Sequence, residues 1–305
     1  MFINTFNAAM REKFGCKVYK LALDGGFTCP NRDGTLGYGG CTFCSGSGSG
    51  DFAEPAYPDI FAQIEKAKAL VRKKNPDGRY IAYFQSFTNT YAPVDRLEEL
   101  FTPAISHPDV AALSIATRPD CLEPEKIDLL RRLNAIKPVW VELGLQTVNP
   151  ITAARIRRGY ELPVFDRAMG DLQTAGLETV VHMILGLPGE TREDMVRTAR
   201  YISDSGADGI KLQLLHVLRG TDLCREYEAG QFAAMELPEY IEALMDCIRV
   251  LRPNLVIHRM TGDGAKRDLV APLWSGDKKR VLNAINTAFA AANLQQGSAQ
   301  KGACT

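Results

Sequence analysis

Apolar runs alternate with helical patterns along this chain from Val18 onward. Six runs rich in β-branched and aromatic residues have the length of buried strands, and segments with apolar residues at helical spacing separate them. The strands are predicted at residues 18–23, 80–85, 110–117, 139–146, 179–187 and 210–217. The helices between them are predicted at residues 59–73, 95–106, 123–136, 163–175 and 192–205.

This alternation predicts an α/β protein in which right-handed crossovers build a parallel sheet that is buried on both faces. Six such units can curl into a partial (β/α)6 barrel of the TIM type, here residues 15–225, whose working face is formed by the loops after the strands. Beyond residue 220 the pattern changes. Helices at 237–251 and 278–291 flank a short strand at 255–260, which predicts a small C-terminal α/β extension, residues 226–305, ending in a frayed polar tail at 295–305.

Composition and charge narrow the class of protein. Hydrophobic residues make up 46% of the 305 residues and charged residues 24%, as in soluble globular proteins, and no apolar run has the length of a membrane span. The N-terminal residues lack the features of a secretory signal, so we expect the reducing cytoplasm and no membrane association. Thirty-six basic residues balance thirty-six acidic ones, which argues against nucleic-acid binding through bulk charge alone.

Three of the eight cysteines lie together in a glycine-rich loop directly after the first predicted strand. Cys29 is followed by Cys41 and Cys44, and the last two form a Cys-x-x-Cys pair. Three thiolates can bind three irons of a cubane cluster and leave the fourth iron for another ligand. Structural zinc, which needs a fourth protein ligand that is not nearby in the sequence, and reduced structural thiols are the alternatives that the spacing leaves open.

The loop at 24–44 resembles the cluster loop of the radical S-adenosylmethionine (SAM) superfamily, in the branch that includes the elongator catalytic subunit and the YhcC-like proteins. Phe43 directly precedes the last cysteine, as in that branch, whereas the loop between Cys29 and Cys41 is longer than the commonest superfamily form. The resemblance covers roughly residues 15–289. It implies a radical SAM barrel in which Cys29, Cys41 and Cys44 hold a 4Fe-4S cluster with one iron open for SAM.

The later motifs of the resemblance fall near the carboxyl ends of predicted strands. Carried over residue by residue, they imply that SAM is contacted at Gln85, Ser86, Thr88, Ser114, Glu142, Gln146, Arg158, Ile184 and Gly186. Arg158 would grip the SAM carboxylate with two parallel hydrogen bonds. One departure is Ala116, which stands where relatives usually carry a glutamate.

Several of these motifs also have a structural interpretation that the residues alone leave open. The segment 85–90 is a possible polar turn, residues 155–158 a basic helix face, and Glu190 a partner for the N-terminus of the next helix. Glu142 is more informative, because a carboxylate inside an apolar strand is costly unless it is partnered. His182 and His216 are candidate catalytic residues, although a lone histidine on an apolar strand is more often a hydrogen-bonded core residue.

The resemblance implies reductive cleavage of SAM to a 5′-deoxyadenosyl radical, with an electron from a flavodoxin- or ferredoxin-like donor. The first substrate hypothesis is tRNA, modified at a wobble uridine, with Arg32, Arg118 and residues 155–158 forming a phosphate-facing rim. The second is a small molecule or peptide enclosed by residues 259–264. A third reading, a non-catalytic iron–sulfur regulatory protein, leaves the SAM-facing motifs unexplained.

Overall fold

The computed structural model describes residues 2–75, 78–262 and 264–300. Its strands are β1 Val18–Leu23, β2 Arg79–Phe84, β3 Val110–Thr117, β4 Val139–Gln146, β5 Glu178–Leu185, β6 Gly209–Leu214, β7 Val217–Leu218, β8 Val256–Arg259 and β9 Leu269–Ala271. Its helices are α1 Phe6–Phe14, α2 Ile60–Val71, α3 Val94–Ser106, α4 Pro124–Asn134, α5 Pro150–Arg155, α6 Leu162–Thr174, α7 Arg192–Asp204, α8 Asp222–Glu228, α9 Leu237–Val250 and α10 Lys278–Ala291.

The main sheet has seven parallel strands in the order β1-β2-β3-β4-β5-β6-β8. The predicted α/β fold and partial TIM-type barrel are therefore confirmed, with one change. The strand predicted at 255–260, outside the core at 15–225, is β8, and it is the seventh strand of the curled sheet because it pairs with β6. The division at residue 225 itself stays a prediction.

Helices α2, α3, α4, α6 and α7 cover the outer face of the sheet, as the alternating pattern predicted. Apolar side chains of the strands, such as Phe84 and Leu143, are fully buried with apolar side chains of these helices in one large core. Local sequence fixes where several helices begin. Thr191 and Asp194 form a reciprocal capping box at the start of α7, and Asn149 caps α5.

Helix α1 was not predicted from the sequence. It ends at Gly15, which has the left-handed conformation (φ 69°) of a helix C-cap, and its apolar side chains turn toward the inside of the barrel. Phe6, Met10 and Phe14 pack there with residues from the beginnings of the first four strands, namely Val18, Ile81, Ala112 and Trp140. Helix α1 therefore closes the lower, amino-terminal end of the barrel.

Two further expectations are corrected near the C-terminus. The sixth strand was predicted to run to residue 217, but β6 ends at Leu214, and Val217 belongs to β7, which pairs with β9 in a separate two-stranded sheet. The tail at 295–300 is folded and not frayed, because the amide of the buried Gln296 donates to the carbonyl oxygens of Arg252 and Leu255. The rest of that predicted tail, 301–305, lies outside the described residues.

Within the described ranges, no helix combines the length and the apolar character needed to cross a bilayer.

Candidate active site

The three clustered cysteines lie in the loop between β1 and α2, at the upper, carboxyl-terminal end of the barrel. Arg32 holds this loop together by donating hydrogen bonds to the carbonyl oxygens of Cys44 (3.2 Å) and Ser45 (2.5 Å). Gly40 is left-handed (φ 82°), and a Cβ there would lie 2.9 Å from the Arg32 Nε. The glycine thus lets the chain pass close to the arginine that organises the loop.

The cysteine sulfur atoms are free and half-buried. Burial, reinforced by neighbouring Cys44, raises the pKa of Cys41 to about 12. A thiol with such a pKa stays protonated at neutral pH unless a metal ion stabilises its thiolate. Among the described residues, the three sulfur atoms do not form a set within 4.8 Å of one another.

Cys29, Cys41 and Cys44 all face one cavity inside the barrel. Of the residues predicted to contact the cofactor, the cavity is also lined by Gln85, Thr88, Glu142, Gln146, Arg158 and Ile184. Both candidate catalytic histidines, His182 and His216, line it as well. Side chains that are far apart in the sequence therefore converge on one space at the expected end of the strands.

Three of the residues predicted to contact the cofactor do not line the cavity. Ser86 and Ser114 are buried and do not line the cavity, and Ser114 donates a hydrogen bond to Glu142 Oε1 at 2.6 Å. Gly186 is left-handed (φ 84°) beside Met235, and a Cβ there would lie 2.8 Å from the Met235 sulfur. The glycine thus allows close packing after β5. Contact with the cofactor stays a prediction for Ser86, Ser114 and Gly186.

Gln146 has the features of a ligand contact. It ends β4 in a left-handed conformation (φ 67°), which is uncommon for a residue other than glycine. Its side chain lines the cavity, and its buried Oε1 has no hydrogen-bond partner among the described residues. A buried, unpartnered amide oxygen is costly, so a ligand that donates a hydrogen bond at this point would relieve the cost.

Arg158 is held mainly by the protein itself. Its guanidinium donates to the carbonyl oxygens of Leu145 (3.3 Å), Thr147 (2.7 Å) and Tyr160 (2.9 Å and 3.1 Å). These bonds leave one of the five guanidinium donors, so the two parallel bonds expected with a SAM carboxylate are not available from this arrangement. The arginine instead fixes the loop that follows β4, and any contact with the cofactor is through the remaining N–H.

Three arginines of the rim expected for phosphate contacts are ion-paired within the protein. Arg118 makes a two-pronged ion pair with Asp120, and its guanidinium is largely buried. Arg155 pairs with Glu226, and Arg157 pairs with Asp222. The carboxylates come from nearby segments, chiefly α8, that the sequence analysis had not related to these arginines.

A ring of polar side chains, hereafter the polar layer, crosses the barrel interior two residues above the apolar layer that contacts α1. Successive strands β1 to β6 contribute Lys20, Tyr83, Ser114, Glu142, His182 and Lys211. Barrel interiors are usually filled by branched apolar side chains at such positions. The sequence analysis found Glu142 and His182 but missed Lys20, Tyr83 and Lys211. Two apolar strands each carry a lysine at the same inward-facing position, and this pattern could have indicated the layer.

Glu142 is the centre of the polar layer. Its carboxylate is fully buried and accepts from Lys20 (2.5 Å), Ser114 (2.6 Å), His182 (2.7 Å) and Lys211. Burial alone would raise the pKa of Glu142, but the adjacent Lys20 and Lys211 ammonium groups and His182 hold it well below the usual range. The expectation that this carboxylate is partnered is confirmed, and its partners are protein groups.

The two histidines differ in their surroundings. Burial, together with the charge on Lys211, lowers the pKa of His182 to about 4, so its ring is neutral at neutral pH. Its Nε2 lies 2.7 Å from Glu142 and therefore carries the proton of that hydrogen bond. His216 lies after β6 against Gly262 and Gly264, where a Cβ at either glycine would come within 2.7 Å of the imidazole. Catalytic roles for both histidines stay predictions.

Similarity to known proteins agrees with this geometry. The family model described as "Radical SAM superfamily" matches residues 29–202, and "Radical_SAM C-terminal domain" matches residues 207–291. The chain is 45% identical to the uncharacterized protein YtqA of Bacillus subtilis over 93% of this chain and 88% of YtqA. It is 37% identical to protein YhcC of Escherichia coli over 89% and 87% of the two chains.

A solved structure supports the fold. The archaeal Methanocaldococcus infernus Elp3 with an N-terminal deletion superposes with a TM-score of 0.69 and 17% identity, covering 92% of this chain and 64% of the archaeal chain. At this identity the likeness concerns the fold alone. The matched family models and the two relatives decide the assignment: the chain belongs to the radical SAM superfamily, in the family of YtqA and YhcC.

Proposed function

We propose that this enzyme holds a 4Fe-4S cluster on Cys29, Cys41 and Cys44 and cleaves SAM reductively in the cavity below them. The observation that carries the proposal is that the three cysteines and the unpartnered amide of Gln146 face the same cavity. A protein that only stored or sensed iron would have no need of this cavity. Such a regulatory role is therefore the weaker alternative.

The spacing of the cysteine sulfur atoms does not support a single tetrahedral zinc ion. Sulfur atoms around one tetrahedral zinc, with Zn–S distances of about 2.3 Å, lie roughly 3.8 Å apart. The three sulfur atoms do not form a set even within 4.8 Å, among the described residues. In a cubane each cysteine binds a different iron, so a wider spacing is expected.

A cluster held by Cys29, Cys41 and Cys44 would supply the one-electron chemistry that cleaves a carbon–sulfur bond of SAM and leads to hydrogen-atom abstraction from the substrate. The protein positions the reactants and limits access of water. Gln146 offers an acceptor for a SAM N–H or O–H group, and Ile184 gives the cavity an apolar wall. Below them the neutral ring of His182 and the polar layer form the floor of the cavity.

The geometry favours a compact substrate over tRNA. Three arginines of the expected rim already pair with carboxylates, Arg118 with Asp120, Arg155 with Glu226 and Arg157 with Asp222, which weakens the case for the phosphate contacts proposed from the sequence. The segment 259–264 that was expected to enclose a small substrate contributes Arg259 and Gly262 to the cavity wall; Asp263 lies outside the described residues. We therefore place a small molecule or peptide first and a tRNA wobble uridine second.

A one-electron donor of the flavodoxin or ferredoxin class is the implied partner, because the proposed cleavage consumes an electron that SAM cannot supply. The reducing cytoplasm is the proposed compartment. The seven cysteines of the described residues are all free thiols, as that compartment requires.

The test is anaerobic reconstitution with iron, sulfide, SAM and dithionite, followed by measurement of 5′-deoxyadenosine. Wild-type protein should absorb near the wavelengths typical of iron–sulfur clusters and release 5′-deoxyadenosine, and Gln146→Ala should keep the cluster but release less. Wild-type protein with four irons and no product would refute the proposal. Nucleoside mass spectrometry of tRNA from a deletion strain tests the second substrate class, since a missing wobble modification would reverse our order of preference.

A further inference from the structure

The polar layer has a composition that the SAM site does not explain. Lys211, from β6, is 3% exposed, and its Nζ donates to the Tyr83 hydroxyl at 2.9 Å and to Glu142. Tyr83, Glu142 and Lys211 all line the cavity. Glu142 was itself expected to contact SAM, but its carboxylate accepts hydrogen bonds from four protein side chains. Arg259 is the neighbour of Lys211 on β8 in the register of the sheet, and it also lines the cavity.

Positive charge exceeds negative charge in this layer. Glu142 is the common partner of two ammonium groups, those of Lys20 and Lys211. When both amines are protonated, one carboxylate balances only one of them, and the three groups together then carry one surplus positive charge. Burying a surplus charge is costly. Burial accordingly lowers the pKa of Lys211 to about 7, which favours the neutral amine.

The cavity extends from Lys211 up to the cysteine loop. Two residues further along β3 and β4 from Ser114 and Glu142, these two strands carry the small residues Ala116 and Gly144. Both of these small residues line the cavity. A Cβ at Gly144 would lie 2.9 Å from the Gln146 Nε2, so the Gln146 side chain shares this space, and the cavity that begins at the cysteine loop reaches Lys211.

We propose that the polar layer is a substrate subsite for an oxyanion, a carboxylate or phosphate group on a compact substrate. Lys211 and the Tyr83 hydroxyl bind the oxyanion, and the field of Arg259 favours it. A planar or tetrahedral oxyanion can accept from an ammonium and a hydroxyl at once, and charge-assisted hydrogen bonds of this kind are strong. This proposal depends on the proposed function in one respect: it takes the bound oxyanion to be part of the substrate of the radical reaction.

The competing interpretation is that the layer is a structural ion network. In that case added anions find no site, and replacing Lys211 changes stability alone. Lys13 provides a matched control, since it is a lysine that pairs with Glu178 outside the cavity and packs over the Trp140 ring at 5.4 Å. The two interpretations therefore differ in how oxyanions bind to Lys211 and Lys13 variants.

The experiment is calorimetric titration of the reconstituted, iron-loaded protein without SAM, using acetate, succinate and inorganic phosphate as probes against chloride at equal ionic strength. We expect saturable binding of either the carboxylates or phosphate, and which probe binds identifies the group. Lys211→Met should weaken that binding about tenfold or more, Tyr83→Phe several-fold, and Lys13→Met should leave it unchanged. If Lys211→Met does not fold, Tyr83→Phe and Lys211→Arg carry the comparison.

Binding no stronger than that of chloride, or equal binding by wild type and the cavity variants, would overturn the subsite. The two proposals fail separately. Release of 5′-deoxyadenosine without oxyanion binding leaves the radical SAM function and removes the subsite. Oxyanion binding that depends on Lys211, without any 5′-deoxyadenosine, leaves the subsite and removes the function.

Discussion

The side-chain amide of Asn31 donates a hydrogen bond to the sulfur of Cys41 at 3.6 Å, and the same nitrogen lies 2.8 Å from the carbonyl oxygen of Arg157. Asn31 thereby connects the cysteine loop after β1 to the loop after β4. Gly159 makes the approach possible, because a Cβ there would lie 2.4 Å from the Asn31 Oδ1. One buried amide thus fixes the position of a proposed iron ligand relative to the SAM-facing side of the barrel.

Replacing Asn31 should change the redox behaviour of the cluster. A hydrogen bond to a ligating sulfur stabilises the reduced, more negative state, so Asn31→Ala should make the reduction potential more negative by about 40 mV, the equivalent of ~1 kcal/mol for one electron. A potentiometric titration followed by electron paramagnetic resonance measures the change. Asn7→Ala, at an exposed position of α1, is the control. An unchanged potential in Asn31→Ala would show that the contact does not tune the cluster.

The ligand assignment predicts which cysteines are needed for iron. Cys29→Ala, Cys41→Ala and Cys44→Ala should each lose most of the bound iron and the visible absorbance. Cys16→Ala should keep both, because Cys16 packs in the apolar cluster near α1 at the opposite end of the barrel. Iron and sulfide analysis with an absorption spectrum is the measurement. Bleaching of Cys16→Ala with retention in Cys29→Ala would make the assignment wrong.

Glu142 should be far more important for stability than a surface carboxylate. Glu142→Gln removes the charge that balances Lys20 and Lys211, and leaving buried ammonium groups uncompensated typically costs about 3–5 kcal/mol. The control is Glu178→Gln, whose carboxylate pairs with the partly exposed Lys13 and should contribute about 1 kcal/mol or less. Urea unfolding of both variants gives the comparison. Equal losses would mean that the polar layer is not the electrostatic centre described above.

Glu190 should make stability depend on pH. Burial raises its pKa to about 7, above the value of about 4.3 in an unfolded chain, so the folded state binds the extra proton between these values. The contribution of this group to the unfolding free energy therefore decreases as the pH rises from about 4.5 to about 7 and stays low above it. Glu190→Gln keeps an acceptor for Thr147 and should be more stable than wild type at pH 8, by roughly 1–3 kcal/mol, with little difference at pH 4.5.

Thermal unfolding midpoints across this pH range test the prediction. The neighbouring Glu193→Gln, at an exposed position, should give a curve nearly parallel to that of wild type. Parallel curves for Glu190→Gln as well would show that the glutamate titrates in the folded protein as it does in water.

Two glycines should respond to alanine in opposite directions. Gly186→Ala forces a left-handed conformation on alanine and places Cβ 2.8 Å from the Met235 sulfur, which should cost about 1–3 kcal/mol. Gly170 lies on the exposed side of α6, and a Cβ there meets nothing within 4 Å, so Gly170→Ala should stabilise the protein by about 0.5–1 kcal/mol. Chemical denaturation measures both, and a loss of stability in Gly170→Ala would contradict this account.

The strands of the barrel could be predicted because their signal is local. Buried parallel strands are continuous apolar runs, and β3 and β4 were predicted with the bounds that the structure has. Helix α1 had the apolar positions Phe6, Met10 and Phe14 but is only nine residues long, and a helix that short is stable only through tertiary packing. Its partner, Trp140, lies more than 120 residues away in the sequence, so nothing local indicated the helix.

The sequence indicated which residues form the site, but it did not indicate which groups those residues contact. The cysteine loop carries its own spacing, and the loop positions after the strands brought Gln85, Gln146 and Arg158 to one cavity as expected. The partners of Arg158 are main-chain carbonyl groups, which a sequence pattern does not reveal. The same limit applies to Arg155 and Arg157, whose carboxylate partners lie about 65 to 71 residues further along the chain.

Helix α1 closes the lower end of the barrel, and this makes the cavity blind-ended. Reactants must then approach from the side of the cysteine loop, and a substrate whose oxyanion rests on Lys211 lies deeper than SAM. Under both proposals, catalysis follows a compulsory binding order in which the substrate enters first and SAM second. Release would proceed in reverse, with 5′-deoxyadenosine and methionine leaving before the product can escape.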